Sequence, residues 1–192
     1  GTPKAPSASL RAAAARIAWQ PATNMALRPA LEDFQLCAEI LPDRIKLATL
    51  DAKLEEQPIV VTGEWPLSAS AWTALWSERK VPDWTQAHAR LQVARAEVAA
   101  VARYLPQVLA PEGQLTVNLE LKPGKLLGGA LSLTNVATRA IGKLTPVRDI
   151  AAQVRLEKRR ALLETFRGQI GWQPNQAEGF VAIPGEGGLD YR

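Results

Sequence analysis

The sequence predicts a mainly β protein, built around one long antiparallel sheet with one or two short helices. Alternation of apolar and polar residues is the first observation behind this prediction. Between residues 115 and 121 every second residue is Leu or Val, and polar residues stand between them. A period of two is typical of a strand that buries one face. The second observation is an internal repeat, in which two stretches of the chain carry one pattern in one register.

The alternation recurs along most of the chain and predicts roughly ten strands. It is clearest at residues 31–41, 113–121 and 147–157, where polar or charged residues separate the apolar ones. Further strands are predicted at about 12–19, 44–54, 58–67, 86–95, 127–136, 160–170 and 176–183.

Two stretches interrupt the alternation and favour helix. Residues 68–80 place Trp72 and Trp76 four positions apart, and we expect this helix to pack on the rim of the sheet rather than to offer a stacking platform to nucleic acid or sugar. Residues 95–109 are rich in Ala and predict a helix that ends at Pro106.

The repeat aligns residues 31–67 with residues 147–183 without a gap, at an offset of 116 positions. A slip of one residue would turn every side chain to the other face of the sheet. The gapless alignment therefore predicts that both copies bury the same faces. Seven of the 37 aligned pairs are identical: Asp33/Asp149, Arg44/Arg160, Leu47/Leu163, Thr49/Thr165, Gln57/Gln173, Pro58/Pro174 and Gly63/Gly179.

Both copies change the parity of their apolar residues at the same place, so we predict a β-bulge near residues 48–49 and another near residues 164–165. The second copy stops after its third or fourth strand. An unfinished repeat favours an open-ended sheet over a closed barrel, with a closed sandwich as the alternative.

The start of the chain divides into a leader and a strand. Residues 1–9 are small and polar with two prolines, and they predict a loose leader before a single open-ended segment at 10–192. Residues 10–19 are rich in Ala, which favours helix. At the offset of the repeat, however, they align with residues 126–135, which alternate clearly, so we predict a strand.

The composition permits several partners and specifies none. The chain has 192 residues, a net charge of +4 and 47% hydrophobic residues, which suits a protein with a substantial core. Its basic residues are mixed with acidic ones, so we predict no nucleic-acid partner. No apolar run reaches the length of a membrane span. Because the chain begins at Gly1, we expect it to come from a longer protein whose anchor or secretion signal lies elsewhere.

The residue types needed for catalysis do not cluster, and we predict neither an enzyme nor a bound cofactor or metal. His88 is the only histidine, and a metal site or a histidine-based triad would need further partners. Cys37 is the only cysteine, which excludes an internal disulfide and favours a structural role. The repeated residues Asp33, Asp149, Arg44 and Arg160 are expected to form pairs between neighbouring strands rather than to catalyse.

The second half of the chain shows a definite order of motifs. A predicted helix ending in "YLP" precedes the strand "GQLTVNLEL", and "GGALSLTNV", "LETFRGQIG" and "EGFVAI" follow. In this order the chain resembles the AsmA/TamB-like family of bacterial envelope proteins, over about residues 30–67 and 90–183. The membrane helix and the barrel-docking domain of full-length members have no counterpart in this chain.

This resemblance implies a repeating β-groove, a strongly curved half-pipe sheet with apolar side chains inside and polar ones outside. It implies a periplasmic location, with the parent protein anchored in the inner membrane. It also implies a function, the carrying of phospholipid or another acyl-chain lipid along the groove between the inner and outer membranes. The alternative is a scaffold that assembles outer-membrane proteins by strand pairing. The outer-membrane partner would then be reached through the parent protein. Apart from the resemblance, an enzyme is the third and least expected interpretation, and a carbohydrate-binding β-sandwich with a surface Trp platform is a residual one.

The predicted lipid-binding residues are apolar residues on the inward side of the strands. A sheet with one apolar face and no second layer exposes a patch that water disfavours, unless acyl chains or the curvature of the sheet cover it. The predicted residues are Phe34, Leu36, Ile40, Leu50, Leu54, Leu115, Val117, Leu119, Leu121, Leu131, Leu133, Ile150, Val154, Leu156, Phe166 and Ile170.

Overall fold

The computed structural model contains a single antiparallel sheet in which every strand pairs with its neighbours in the sequence. It describes residues 6–18, 30–80, 83–102, 109–124, 126–140, 145–157, 160–171, 173–182 and 190–191. The strands are β1 (Ala8–Ala18), β2 (Ala30–Leu41), β3 (Arg44–Leu54), β4 (Gln57–Pro66), β5 (His88–Glu97), β6 (Gln114–Lys122), β7 (Leu126–Val136), β8 (Val147–Glu157), β9 (Arg160–Ile170), β10 (Gln173–Ala182) and β11 (Asp190–Tyr191).

The sheet is open rather than closed. Its order runs from β1 to β11 without a crossover, and within the described residues β1 pairs only with β2. The prediction of a mainly β protein with a long antiparallel sheet and short helices is therefore confirmed. A meander of this kind has only local strand connections, so each strand can pair as soon as the previous one has formed.

The two copies of the repeat have the same pairing register. Every pair between β2 and β3 recurs between β8 and β9 at the offset of 116, as when Leu31 opposite Leu54 becomes Val147 opposite Ile170. The pairs between β3 and β4 recur between β9 and β10 in the same way. The sequence repeat is thus a repeat of three-dimensional structure, and both copies do present the same faces.

Both predicted bulges are confirmed. Ala48 has no partner on β2, because Thr49 pairs with Cys37 and Leu47 pairs with Ala38. Its counterpart Glu164 is skipped in the same way between Gln153 and Val154 of β8. An extra residue on one strand reverses which face the following side chains occupy, and this explains the change of apolar parity in both copies.

A second pair of bulges lies at Asp33 and Asp149, which the sequence did not predict. Pairing between neighbouring strands shifts there in both copies, and the two residues have φ angles of 49° and 51°. Asp tolerates this left-handed region better than most residues because its short side chain can form local hydrogen bonds. The identity of these two residues therefore reflects a backbone requirement as well as charge.

β1 confirms a strand at residues 10–18, and Trp19 lies outside the described residues; the predicted alignment of this strand to β7 at an offset of 116 is wrong. Leu10 lies opposite Ala38, and Leu131 lies opposite Val154, the repeat partner of Ala38, so the structural offset is 131 − 10 = 121. The connection between two strands can change length without disturbing the strands themselves. The offset between the copies can therefore differ before and after such a connection. β1 also begins at Ala8, inside the predicted leader at 1–9, of which residues 1–5 lie outside the described residues.

The two helices are short and interrupt the sheet on either side of β5. α1 (Ala69–Glu78) confirms the helix predicted at 68–80; the Oγ of Ser68 accepts a hydrogen bond from the amide of Ala71 at its start. α2 (Val98–Val101) is only four residues long. The helix predicted at 95–109 is wrong for residues 95–97, because Ala96 and Glu97 pair with β6 and this pairing overrides the helix preference of Ala. Residues 103–108 lie outside the described residues.

Two small cores hold these helices at opposite ends of the strands. Trp72 of α1 is 1% exposed, and its Nε1 donates a 2.9 Å hydrogen bond to the carbonyl of Pro42 in the β2–β3 turn. At the other end, Val98 of α2 packs with Val136 and Ile150, all three nearly inaccessible to water. Between the two ends, many apolar side chains of the sheet lie outside the cluster formed with Val98.

A candidate apolar binding face

One face of the sheet is apolar across ten strands. Directly opposed residues in an antiparallel sheet lie on the same face. Following such pairs from strand to strand gives an unbroken row with one residue from each of β1–β10, and no member of this row is polar. We call the side of the sheet that carries this row the apolar face. The row is Ala12, Leu36, Leu50, Val61, Leu91, Leu119, Gly129, Leu156, Ala161 and Val181.

Most of the predicted lipid-binding residues are half-buried on this face. Of the sixteen, fourteen have intermediate exposure, Ile150 is buried at 4% and Ile170 is exposed at 47%. An apolar side chain in a closed core would be excluded from water almost completely. Intermediate exposure over so many residues indicates that neighbouring side chains shelter one another while the face itself stays accessible.

Four of the predicted residues have a different environment. Ile150 belongs to the core cluster formed with Val98 of α2, and Leu115, Leu133 and Phe166 pack against that cluster. The structure therefore divides the apolar face into a closed part beneath α2 and an open part. The open part contains Phe34, Leu36, Ile40, Leu50, Leu54, Val117, Leu119, Leu121, Leu131, Val154 and Leu156, with Ile170 more exposed than any of these.

Sequence reasoning missed several residues of the apolar face. Leu47 and Leu163 lie on it because each bulge reverses the parity of its strand, and strand pairing adds Ile45, Ile59 and Leu91. The signal was present in the repeat, since Leu47 and Leu163 are an identical pair beside the parity change. Combining the predicted bulge with the predicted face would have recovered both.

The opposite face carries ion pairs between neighbouring strands. Lys53 contacts Asp33 at 2.7 Å, Arg44 contacts Glu64 at 2.9 Å, and Arg155 contacts Glu164 at 2.8 Å. Asp33 and Arg44 were each expected to pair with a residue on a neighbouring strand, and both do. Asp33 pairs with Lys53, and Arg44 pairs with Glu64. Exposed ion pairs contribute little to stability. Their consequence is a charged outer surface that contrasts with the apolar face.

Ion pairing on this side shifts the pKa values of several groups, and the hydrogen bond to Asp43 raises the pKa of the Arg44 guanidinium. A hydrogen bond from the guanidinium of Arg44 lowers the pKa of the Asp43 carboxyl. A hydrogen bond to the Asp33 carboxylate raises the pKa of Lys53. All three shifts come from ion pairing in exposed positions and not from burial, which is the usual origin of shifts at catalytic groups.

A shallow cleft of about 560 Å³ lies over β1–β4 near the bulge at Asp33. Phe34, Ala52 and Ile59 contribute apolar lining, and two carboxylates, Asp33 and Asp51, border the cleft. Both carboxylates are engaged, because Lys53 binds Asp33 and the Thr49 hydroxyl donates a 2.7 Å hydrogen bond to Asp51. The cleft therefore offers apolar surface, and the two carboxylates at its border already have partners within the protein.

The described part of the chain contains no group of three or more His, Cys, Asp or Glu residues placed to hold a metal ion. His88 is exposed at the start of β5, and Cys37 is a half-buried free thiol on the polar side of β2. Among the helices that the structure describes, none is long and apolar enough to cross a membrane.

Comparisons with known proteins give no assignment. No protein-family model, no curated protein and no solved structure matches the chain. The resemblance to the AsmA/TamB-like family therefore stays a prediction, and a functional proposal has to come from the apolar face itself.

Proposed function

We propose that the open part of the apolar face binds the acyl chains of phospholipid or a similar lipid. In this proposal the chain is a segment of a periplasmic bridging protein, anchored through its parent in the inner membrane, that carries lipid between the inner and outer membranes. The observation that carries the proposal is the unbroken apolar row across ten strands, which a lipid can follow without crossing a polar group.

The size and chemistry of the face support an acyl chain as the ligand. Ten strands at a spacing of about 4.8 Å give a path of roughly 43 Å. Each methylene group that leaves water for an apolar surface contributes about 0.8 kcal/mol when it is fully buried. Contact with half-exposed Leu and Val side chains supplies part of that energy for every methylene, so a long chain gains several kcal/mol without a directional contact. The headgroup would remain in water at the rim.

The test compares substitutions that place the same carboxylate on opposite faces of one strand. Leu119→Asp puts a charge on the apolar face, and Asn118→Asp puts it on the polar face one residue away. The pair Val154→Asp and Gln153→Asp repeats the comparison in β8. We expect native mass spectrometry to find co-purified phospholipid with the unaltered chain and both controls, and at least about tenfold less with the apolar-face variants.

Photocrosslinking gives an independent readout. A photoreactive residue at Leu119 is expected to capture lipid, and one at Asn118 is expected to capture none. Circular dichroism of each variant reports whether the sheet has formed. An unaltered chain that carries no lipid, or lipid captured equally from both faces, would overturn the proposal.

A second candidate function, a scaffold for outer-membrane protein assembly, is supported by the open edge of the sheet. Within the described residues β1 pairs on one side only, so its other edge has backbone groups available to an incoming strand. Proline at Ala13 or Ala14 removes one amide each, and amides of consecutive residues point to opposite edges. The scaffold function predicts that one of the two variants loses capture of unfolded outer-membrane protein while lipid binding is kept.

A further inference from the structure

Two walls border the apolar face in the middle of the sheet, where β5 and β6 cross it. The wall at the α2 end is the core cluster around Val98, against which Leu115 of β6 packs. The exposure of β5 falls toward this wall, from half-buried Leu91 to 8% at Val93 and 1% at Ala96. The accessible apolar surface of β5 therefore ends at Val93.

The other wall is the short segment that precedes β5. Trp65 lies on the apolar face of β4, and its Nε1 donates a 3.1 Å hydrogen bond to the carbonyl of Asp83 in this segment. The amide of Gly124 in the β6–β7 turn donates a 2.6 Å hydrogen bond to the carbonyl of Thr85 in the same segment. The segment is thus tied to β4 on one side and to the β6–β7 turn on the other, so it spans the end of β5.

Three rows of apolar side chains lie between the two walls, and each row is a pair of opposed residues on β5 and β6. The pairs are Ala89 with Leu121, Leu91 with Leu119, and Val93 with Val117. Neighbouring rows are two residues apart along a strand, which is a spacing of about 7 Å. Three rows enclose two furrows, and these furrows run across the strands along the length of the sheet. We call this part of the apolar face the waist.

The width of each furrow matches one acyl chain. Carbon atoms of neighbouring groups approach to about 4 Å, so an extended acyl chain is about 4–5 Å wide. A furrow between rows that are about 7 Å apart therefore accepts a single chain. The middle row continues through Val61 of β4 and Gly129 of β7, so the two furrows remain separate beyond β5 and β6.

We propose that the waist binds a lipid with two acyl chains, one in each furrow, and selects it over lipids with one chain or three. This inference rests on the proposed lipid function and adds to it the number of chains. A lipid with one chain leaves the second furrow in contact with water. A third chain finds a wall on either side of the furrows and stays in water, which disfavours binding.

A series of lipids with one headgroup tests this selection. Lysophosphatidylglycerol, phosphatidylglycerol and acylphosphatidylglycerol differ in carrying one, two and three acyl chains. The full chain is mixed with equal amounts of the three in the same detergent micelles, and native mass spectrometry counts what stays bound. We expect at least about tenfold more phosphatidylglycerol than either of the other two.

Filling one furrow should change the preference. Ala89→Trp places a large side chain in the furrow between Ala89 and Leu91, which leaves a single furrow. We expect the ratio of bound phosphatidylglycerol to bound lysophosphatidylglycerol to fall at least about tenfold. Arg90→Trp adds the same side chain on the polar face of the same strand, where Arg90 is exposed, and should keep the preference of the unaltered chain.

A second variant covers the case in which Ala89→Trp does not fold. Leu121→Trp fills the same furrow from β6 and should change the preference in the same way, with circular dichroism reporting whether each sheet has formed. Photocrosslinking locates the effect. Photoreactive residues at Leu121 and at Val117 border different furrows, so both should capture phosphatidylglycerol, and Ala89→Trp should abolish capture at Leu121 alone.

The results separate this inference from the proposed function. Equal binding of the three lipids, or a preference that neither Ala89→Trp nor Leu121→Trp alters, would overturn the inference and leave the lipid function standing. A chain that binds none of the three lipids would overturn both.

Discussion

The first copy of the repeat, β2–β4, and the second, β8–β10, share every strand pair but differ in what lies against them. Ile150 of the second copy is 4% exposed beneath α2, while its partner Phe34 in the first copy is half-buried. The opposite holds at the last strand. β4 is half-buried beside β5, while the described side chains of β10 are all exposed. One backbone pattern thus supports a closed core in one place and an accessible surface in another.

The difference teaches that strand register and surface function are separate properties in this fold. Register follows from the alternation and the bulges, which the two copies share. Accessibility follows from the segments between the copies, because α2 covers the start of β8 and β5 covers the edge of β4. Substitutions at matched positions of the two copies can therefore separate packing from register.

The largest contrast is expected between Ile150→Ala and Phe34→Ala. Removing Ile150 leaves a cavity in a closed core and should lower the free energy of unfolding by about 3 kcal/mol. Phe34 is already in partial contact with water, so its removal should cost about 1 kcal/mol. Chemical denaturation of both variants measures the difference. Equal losses would mean that the open part of the apolar face is covered as completely as the closed part.

A second contrast is expected between Gly63→Val and Gly179→Val. The side chain at residue 63 would collide with the backbone of β5, and we expect a loss of about 2–3 kcal/mol. At residue 179 the same change should alter the monomer by less than about 0.5 kcal/mol. Thermal unfolding at low protein concentration makes the comparison. A destabilised Gly179→Val monomer would show that another segment lies against β10.

The smallest contrast concerns an ion pair that only the first copy has. Lys53 binds Asp33, and the repeat partner of Lys53 is Gln169, which cannot form this pair. The pKa of Lys53 is raised from 10.5 in the folded protein, so its contribution is present below that pH and is lost as the pH rises through the higher folded value. The unaltered protein should therefore lose a little stability as the pH rises above 10.5, and Lys53→Gln should not show this loss. The unfolding midpoint measured against pH makes the comparison. An unchanged profile would contradict this assignment.

The strands, the repeat and the bulges at residues 48 and 164 were predictable because each leaves a mark in the alternation of residues. The bulges at Asp33 and Asp149 were not predicted, since the identity of two Asp residues is equally consistent with ion pairing. The helix expected at 95–109 was wrong at its start because Ala-rich residues can pair in a sheet when a neighbouring strand is available. The offset between β1 and β7 was wrong because connections can change length independently of the strands.

For the candidate binding face too, the sequence determines one property and the tertiary structure determines another. The alternation of residues specifies which side chains share a face, since a strand has only two faces and the repeat excludes a slip between them. Tertiary structure decides which of those side chains remain accessible. Ile150 and Phe34 occupy the same position and register in the two copies, and the packing of Val98 and Val136 against Ile150 buries one while the other stays half-buried. Burial depends on contacts between segments far apart in the chain, and a local pattern contains no information about them.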